Sequence, residues 1–212
     1  MPPTTDQRLS TADPLPRDFY LRDPREVARD LLGKLLVRRE GKSQLAGRIV
    51  EVEAYLGTDD PAAHSAAGRT ARNEVLFGPP GHAYVYFIYG VHYCLNVSCM
   101  AEGDAGCVLI RALEPISGFE KMARNRKIKL SAHPTQRELR QLTSGPGRLA
   151  QGLAITRPRD NGKDMTARSS DLQILDDGFQ AERISTSKRI GITKAAEAPL
   201  RFTIAGNAFV SR

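Results

Sequence analysis

Two glutamates, a histidine, a file of tyrosines and one arginine set in an apolar run are the residues of this 212-residue chain best suited to chemistry. The carboxylates lie in Gly47-Arg48-Ile49-Val50-Glu51-Val52-Glu53-Ala54-Tyr55, and His64 follows in the connection after it. Tyr84-Val85-Tyr86-Phe87-Ile88-Tyr89-Gly90 returns through Val91-His92-Tyr93-Cys94-Leu95-Asn96, and Arg111 interrupts Cys107-Val108-Leu109-Ile110-Arg111-Ala112-Leu113. A carboxylate within about 2.6–3.2 Å of a water can serve as its general base. A nearby anion also stabilises the oxocarbenium-like state of glycosyl cleavage. Aromatic rings hold an extruded base by stacking, at about 1–3 kcal/mol per base, and an aromatic at a turn tip can wedge into the gap it leaves. These are the parts needed to take a base out of a duplex and cut its bond to the sugar.

Each residue also has a plainer role. Glu51 and Glu53 alternate with Val50, Val52 and Ala54 on a strand, so they share a face with Tyr55 opposite the core and could be surface ion-pair partners. A buried arginine must be paired, which gives Arg111 a choice of Glu51, Glu53 or a phosphate. Tyr84 and Tyr86 form a ladder that core packing alone would explain. Asn96 is either a satisfied core amide or a reader of a purine edge.

The elements that must position these groups follow from local signals. Asp23 caps a helix with Pro24 at its first position; Val27, Ala28, Leu31 and Leu32 form its apolar face and Gly33 ends it. Residues 34–40 and 44–55 read as strands joined at Gly41-Lys42. Residues 56–80 form a long connection carrying Asp59, Asp60, His64, Arg69, Arg72 and Asn73, which favours a functional loop. Further strands are expected at 82–89, 91–99 and 107–113, and helices at 116–126 and 135–142. Ser144-Gly145-Pro146-Gly147-Arg148 opens an apolar helical run whose free N–H groups could receive an anion, with Arg148 and Arg157 nearby. Short strands are expected at 172–175, 189–193 and 200–204. The pattern is that of an α+β domain built around a curved antiparallel sheet with flanking helices, spanning residues 16–212 after a disordered tail at 1–15.

Composition bounds the rest. The net charge of +7 suits a polyanionic partner. No apolar run approaches the roughly 18–20 residues of a membrane span, and residues 1–16 lack the apolar segment of a signal peptide. Cys94, Cys99 and Cys107 are odd in number and lack C-x-x-C spacing, so core packing in a reducing cytoplasm is favoured over a zinc site with His92. No Walker loop is present, and Asp59-Asp60 is too small a cluster for a metal nuclease.

Taken together, the segments from Gly47 to Gly57, Ala62-Ala63-His64-Ser65, Tyr84 to Gly90, Cys107 to Pro115 and Ser144 to Leu149 resemble the alkyladenine, or 3-methyladenine, DNA glycosylases of the mammalian type, which also occur in bacteria. The resemblance runs in one register from about Leu15 to near the C-terminus. It implies a single compact α+β domain with a protruding, DNA-intercalating β-hairpin. The implied enzyme is a monofunctional glycosylase, without metal, cofactor or Schiff-base lysine, that starts base excision repair by removing alkylated or deaminated purines from double-stranded DNA. It would act as a monomer in the cytoplasm, associated with the nucleoid in a bacterium. By position it makes Glu53 the water-activating carboxylate and Arg111 the arginine that helps hold that water. It places Tyr55, His64 and Tyr86 around the flipped base, Asn96 at the purine edge, and Tyr89 in the vacated stack. Arg69, Arg72, Arg148 and Arg157 fall where the family has phosphate contacts. His92 and Tyr93 depart from the family pattern, which bears on substrate breadth. Two rivals use the same parts: a non-catalytic binder of damaged or single-stranded nucleic acid would not need Glu53, and an RNA- or nucleoside-directed N-glycosidase would not need Tyr89.

Overall fold

A computed structural model describes residues 12–41, 43–88, 90 and 92–211. Its frame is a curled sheet of eight strands in which every pairing is antiparallel. The strands are β1 (Leu35–Glu40), β2 (Ser43–Tyr55), β3 (Ala83–Ile88), β4 (His92–Cys99), β5 (Gly106–Ser117), β6 (Leu172–Leu175), β7 (Ile184–Ser187) and β8 (Arg201–Ile204). They run in the order β3-β4-β5-β2-β1-β6, with β8 joining β2 and β7 joining β8. β2 is therefore central. β5 pairs along most of one edge, while β1 and then β8 share the other.

The helices supply the cover. α1 (Arg17–Tyr20) and α2 (Pro24–Leu31) precede the sheet; α3 (Phe119–Arg126), α4 (Gln136–Thr143), α5 (Pro146–Gly152) and α6 (Arg157–Asp160) follow β5. α2 forms as its sequence dictates: the Asp23 carboxylate accepts from the Arg25 N–H, and Val27, Ala28 and Leu31 are buried. Thr135 and Glu138 close a reciprocal capping box at the start of α4. The main core lies between this cover and one face of the sheet, and includes Leu31, Val52, Ile110, Leu149 and Phe202.

Several expected boundaries move. Ser117 still pairs with Ala46, so β5 outlasts its expected end and α3 begins after Gly118, whose φ of 80° makes the turn. The expected strand at 189–193 is absent; the strand is Ile184–Ser187, and Arg189 instead draws the chain inward by bonding Asp60. Residues 1–11 of the expected tail lie outside the described residues. Its last residues are fixed, because Leu15 is buried and donates its N–H to the Ile174 carbonyl at 2.8 Å. Residues 56–80 are ordered by side-chain bonds rather than by ladder pairing. The Asn73 amide donates to the His64 and Gly68 carbonyls, both at 2.9 Å, and a 3₁₀ turn follows at Glu74–Phe77. Among the described residues no helix is long and apolar enough to cross a membrane.

Candidate active site

The geometry of the candidate site begins with two irregularities in the β2–β5 ladder. Glu51 lies opposite Ala112 and Val52 opposite Ile110, so Arg111 has no partner of its own on β2; one step earlier Val50 is the unpaired residue. Such bulges re-aim side chains. Strict alternation would put Val50 with Val52 and Ala54. Instead Val52 and Ala54 join the main core, while Val50 packs with Ala112 and Phe209. Nor do the two glutamates face solvent: both are fully buried.

Arg111 bridges them. Its Nε donates to Glu51 at 2.8 Å and its Nη1 lies 3.2 Å from Glu53. Glu53 also accepts from the Tyr55 hydroxyl at 3.1 Å and from the Ile190 N–H at 2.7 Å. Burial pushes the Glu53 carboxyl above the ordinary glutamate range, and Arg111, Ile190 and Tyr55 only partly offset it. Glu51 goes the other way. Burial raises it too, but Arg111, Arg201 and Ser211 together outweigh that and bring it below the usual value.

In front of this cluster is a cavity of about 300 Å³, walled by Tyr55, His64, Tyr84, Tyr86, Asn96 and Arg111 and closed by Ile190, Gly191 and Ile192. Its volume suits one flat heterocycle. Glu53 is set just behind the wall, and the three groups that bond it, Tyr55, Arg111 and Ile190, all line the cavity. His64, exposed at the rim, meets the Tyr86 ring edge-on at 4.4 Å. Its Nδ1 is 2.8 Å from the Tyr84 hydroxyl. Partial burial and the neighbouring Arg72 lower the His64 pKa, so the ring is neutral at physiological pH. The Tyr84 hydroxyl is raised by burial to about 12, and Tyr55 and Tyr86 are raised as well. The pocket is thus walled by uncharged rings.

Asn96 is buried, and its amide donates to the Tyr84 carbonyl at 3.2 Å, which among the described residues leaves its oxygen with only the Cys107 thiol at 3.9 Å. Cys94 and Cys107 line the same wall with pKa values raised by burial to about 11 and 12, so both are neutral thiols. All three cysteines are free and buried.

The sequence-derived set thus separates into two groups. Glu53, Arg111, Tyr55, His64, Tyr86 and Asn96 converge. Arg69, Arg72, Arg148 and Arg157 are exposed outside the cavity, Arg69 being paired with Glu74 at 2.9 Å. A groove of about 1020 Å³ shares Arg111 and Pro146 with the cavity and carries Arg137, Arg140 and Arg148. Pro146 is held there by close packing: a Cβ on Gly147 would sit 2.9 Å from the His92 ring. Tyr89 lies outside the described residues, between the paired strands β3 and β4.

Sequence reasoning assigned no site role to four contributors. Tyr84 was visible only as part of a ladder. Asp60 and Arg189 are far apart in the chain, yet they form a buried ion pair, and Asp60 also accepts from the Leu56 and Ala62 N–H groups. Ile190 acts through its backbone, which leaves no trace in residue type.

The family model for methylpurine-DNA glycosylase matches residues 18–208. The chain belongs to that family. Relatives provisionally named 3-methyladenine DNA glycosylase include one from Koribacter versatilis, 64% identical over 203 residues (96% of this chain and 95% of the relative). Another, from Methanoculleus marisnigri, is 50% identical and covers 93% and 98% of the two chains. A third, from an Anaeromyxobacter strain, is 47% identical, covering 93% and 92%. The resemblance read from the motifs is borne out, and the chain is a DNA glycosylase, a hydrolase of N-glycosyl bonds.

Proposed function

We propose that this glycosylase removes alkylated or deaminated purines from double-stranded DNA, acting as a monomer on a base extruded into the 300 Å³ cavity. The observation that carries the reading is the Glu53 carboxylate, buried and raised in pKa, bonded to three groups that line a pocket of neutral aromatic rings. Tyr89 fills the gap in the stack, and the base enters among Tyr55, His64 and Tyr86. Asn96 meets its edge with its amide oxygen, which otherwise has the weak Cys107 thiol at 3.9 Å.

Glu53 takes a proton from water as the water oxygen bonds C1′. The C1′–N bond breaks and its electron pair leaves with the base. Arg111 holds the carboxylate, and through it the water, in line. A cationic N3- or N7-alkylpurine leaves readily, and electron-rich rings attract it; a neutral base needs a proton before it leaves. Arg69, Arg72, Arg148 and Arg157 meet phosphates around the opening.

The test is base release from duplexes carrying one hypoxanthine or etheno-adenine, alongside methylated DNA, with alkali to cut abasic sites. Glu53→Gln is expected to lower release by about 10²–10⁴-fold, the usual worth of a general base, while still binding the damaged duplex. Tight binding with no cutting by the unaltered protein would instead mark a damage-binding module.

A further inference from the structure

Glu51 is as buried as Glu53 and two residues from it, yet the proposed reaction gives it no part. Its surroundings are nevertheless elaborate. It accepts from Arg111 Nε at 2.8 Å and from Arg201 Nε at 2.8 Å. The Ser211 N–H and hydroxyl add two more bonds, at 2.6 and 2.9 Å. Three separate parts of the chain, β5, β8 and the segment 207–211, thus meet on one carboxylate. That segment is itself pinned: Asn207 donates to Glu114 at 2.9 Å, and Arg140 donates to the Val210 carbonyl at 3.1 Å.

The consequence is an unequal division of Arg111. Glu51 receives two guanidinium groups at 2.8 Å, whereas Glu53 receives one at 3.2 Å. We propose that Glu51 is a positioning residue for the hydrolysis: anchored by Arg201 and Ser211, it holds Arg111 by Nε so that the guanidinium orients Glu53 without fully neutralising it. Glu51 then remains an anion beside the base and keeps Glu53 proton-hungry. Two adjacent carboxylates driven apart in this way are how one site separates a fixed charge from a working base.

Other groups face the pair as well. Tyr55 lies on the same strand, Arg201 on β8 sits opposite Glu53, and Cys94 comes from β4. Arg189 and the Ile190 N–H approach from the segment after β7. None of these supplies a second anion next to Glu53; Glu51 alone among them does.

The inference rests on Glu53 being the base, and the test separates the two ideas. Single-turnover release of 7-methylguanine from duplex DNA is followed against pH, because this cationic base needs no acid and the acid limb then reports Glu53. Glu51→Gln removes the anion and frees Arg111 for Glu53. The limb is expected to move to lower pH by about one unit, the scale of a neighbouring charge, with the plateau rate about tenfold lower. Glu51→Asp keeps the charge but shortens the reach to Arg111, so its limb should stay in place while its plateau falls. A folded Glu51→Gln protein with an unmoved limb would overturn the proposal. So would a Glu51→Asp protein with an unchanged rate, should the Gln variant fail to fold. If the unaltered protein releases no base at all, it is the hydrolysis reading that fails.

Discussion

The Arg189 guanidinium lies 4.6 Å from the centre of the Tyr55 ring while its two terminal nitrogens bond the Asp60 carboxylate at 2.5 and 2.9 Å. Both partners of this ion pair are buried. The one contact joins three parts of the pocket. Arg189 backs the Tyr55 ring and also donates to the Ala54 carbonyl at 3.1 Å. Asp60 tethers the loop leading to His64, and the residue after Arg189 supplies the N–H that bonds Glu53.

Removing one partner of such a pair leaves the other buried without compensation. Asp60→Asn is therefore expected to destabilise the fold by about 3–5 kcal/mol, read from urea denaturation. A loss below about 1 kcal/mol would mean that water or a shifted side chain satisfies Arg189, and that the pair is not the pocket's clamp.

Tyr84 tests the orientation of His64. Its hydroxyl is 2.8 Å from Nδ1 and its pKa of about 12 keeps it protonated. The bond fixes the plane of the His64 ring whichever of the two partners carries the shared hydrogen. Tyr84→Phe keeps the ring and deletes the bond. His64 is exposed, so water can take the vacated place and thermal stability should change little, while losing about 1.4 kcal/mol of orientation of the ring would lower kcat/KM for base release about tenfold. An unaltered kcat/KM would show that packing against Tyr86 alone sets the His64 ring.

Much of this site was legible in the sequence because strands advertise their period. Glu53, Tyr55, Tyr86, Asn96 and Arg111 are polar or aromatic interruptions of apolar runs, and each of them reaches the cavity or bonds a group that lines it. The α2 cap was equally readable, since Asp23 acts on a neighbour two residues away. What escaped depends on bonds between distant residues. The bulges at Val50 and Arg111 arise from pairing between strands, so no local pattern marks them. Arg189 resembled part of a strand because its partner, Asp60, lies 129 positions away.

The exposed arginines make a separate prediction about DNA binding. Arg148 lies in the open groove that shares Arg111 with the aromatic cavity. Arg148→Ala should weaken binding to damaged and undamaged duplexes alike and reduce the slope of log K against log salt by about 0.9, the release of one phosphate contact. Arg69 is already paired with Glu74, both being well exposed. Glu74→Gln is accordingly expected to tighten duplex binding at low salt and steepen that slope. Slopes that do not change in either variant would move the DNA away from this side of the opening.

Glu53 should also leave a mark on stability that is independent of DNA. Its folded pKa is raised above the ordinary 4.5, chiefly by burial. Between the unfolded and folded values the native protein binds the extra proton, so this group's contribution to stability falls as pH rises through that window and stays low above it. Gln has nearly the same shape and can still accept from the Ile190 N–H, but it never carries the buried charge. Arg111 retains Glu51 as a partner at 2.8 Å. Glu53→Gln is therefore expected to be more stable than the unaltered protein at pH 8, and the difference should shrink as pH falls through the folded pKa, reaching zero below about 4.5. Matched urea titrations across pH 4–8 read the difference directly, with the remaining carboxylates cancelling. A variant less stable at pH 8 would show that the ionised Glu53 contributes more through Arg111, Tyr55 and Ile190 than its burial costs, and that the site does not hold its base under electrostatic strain.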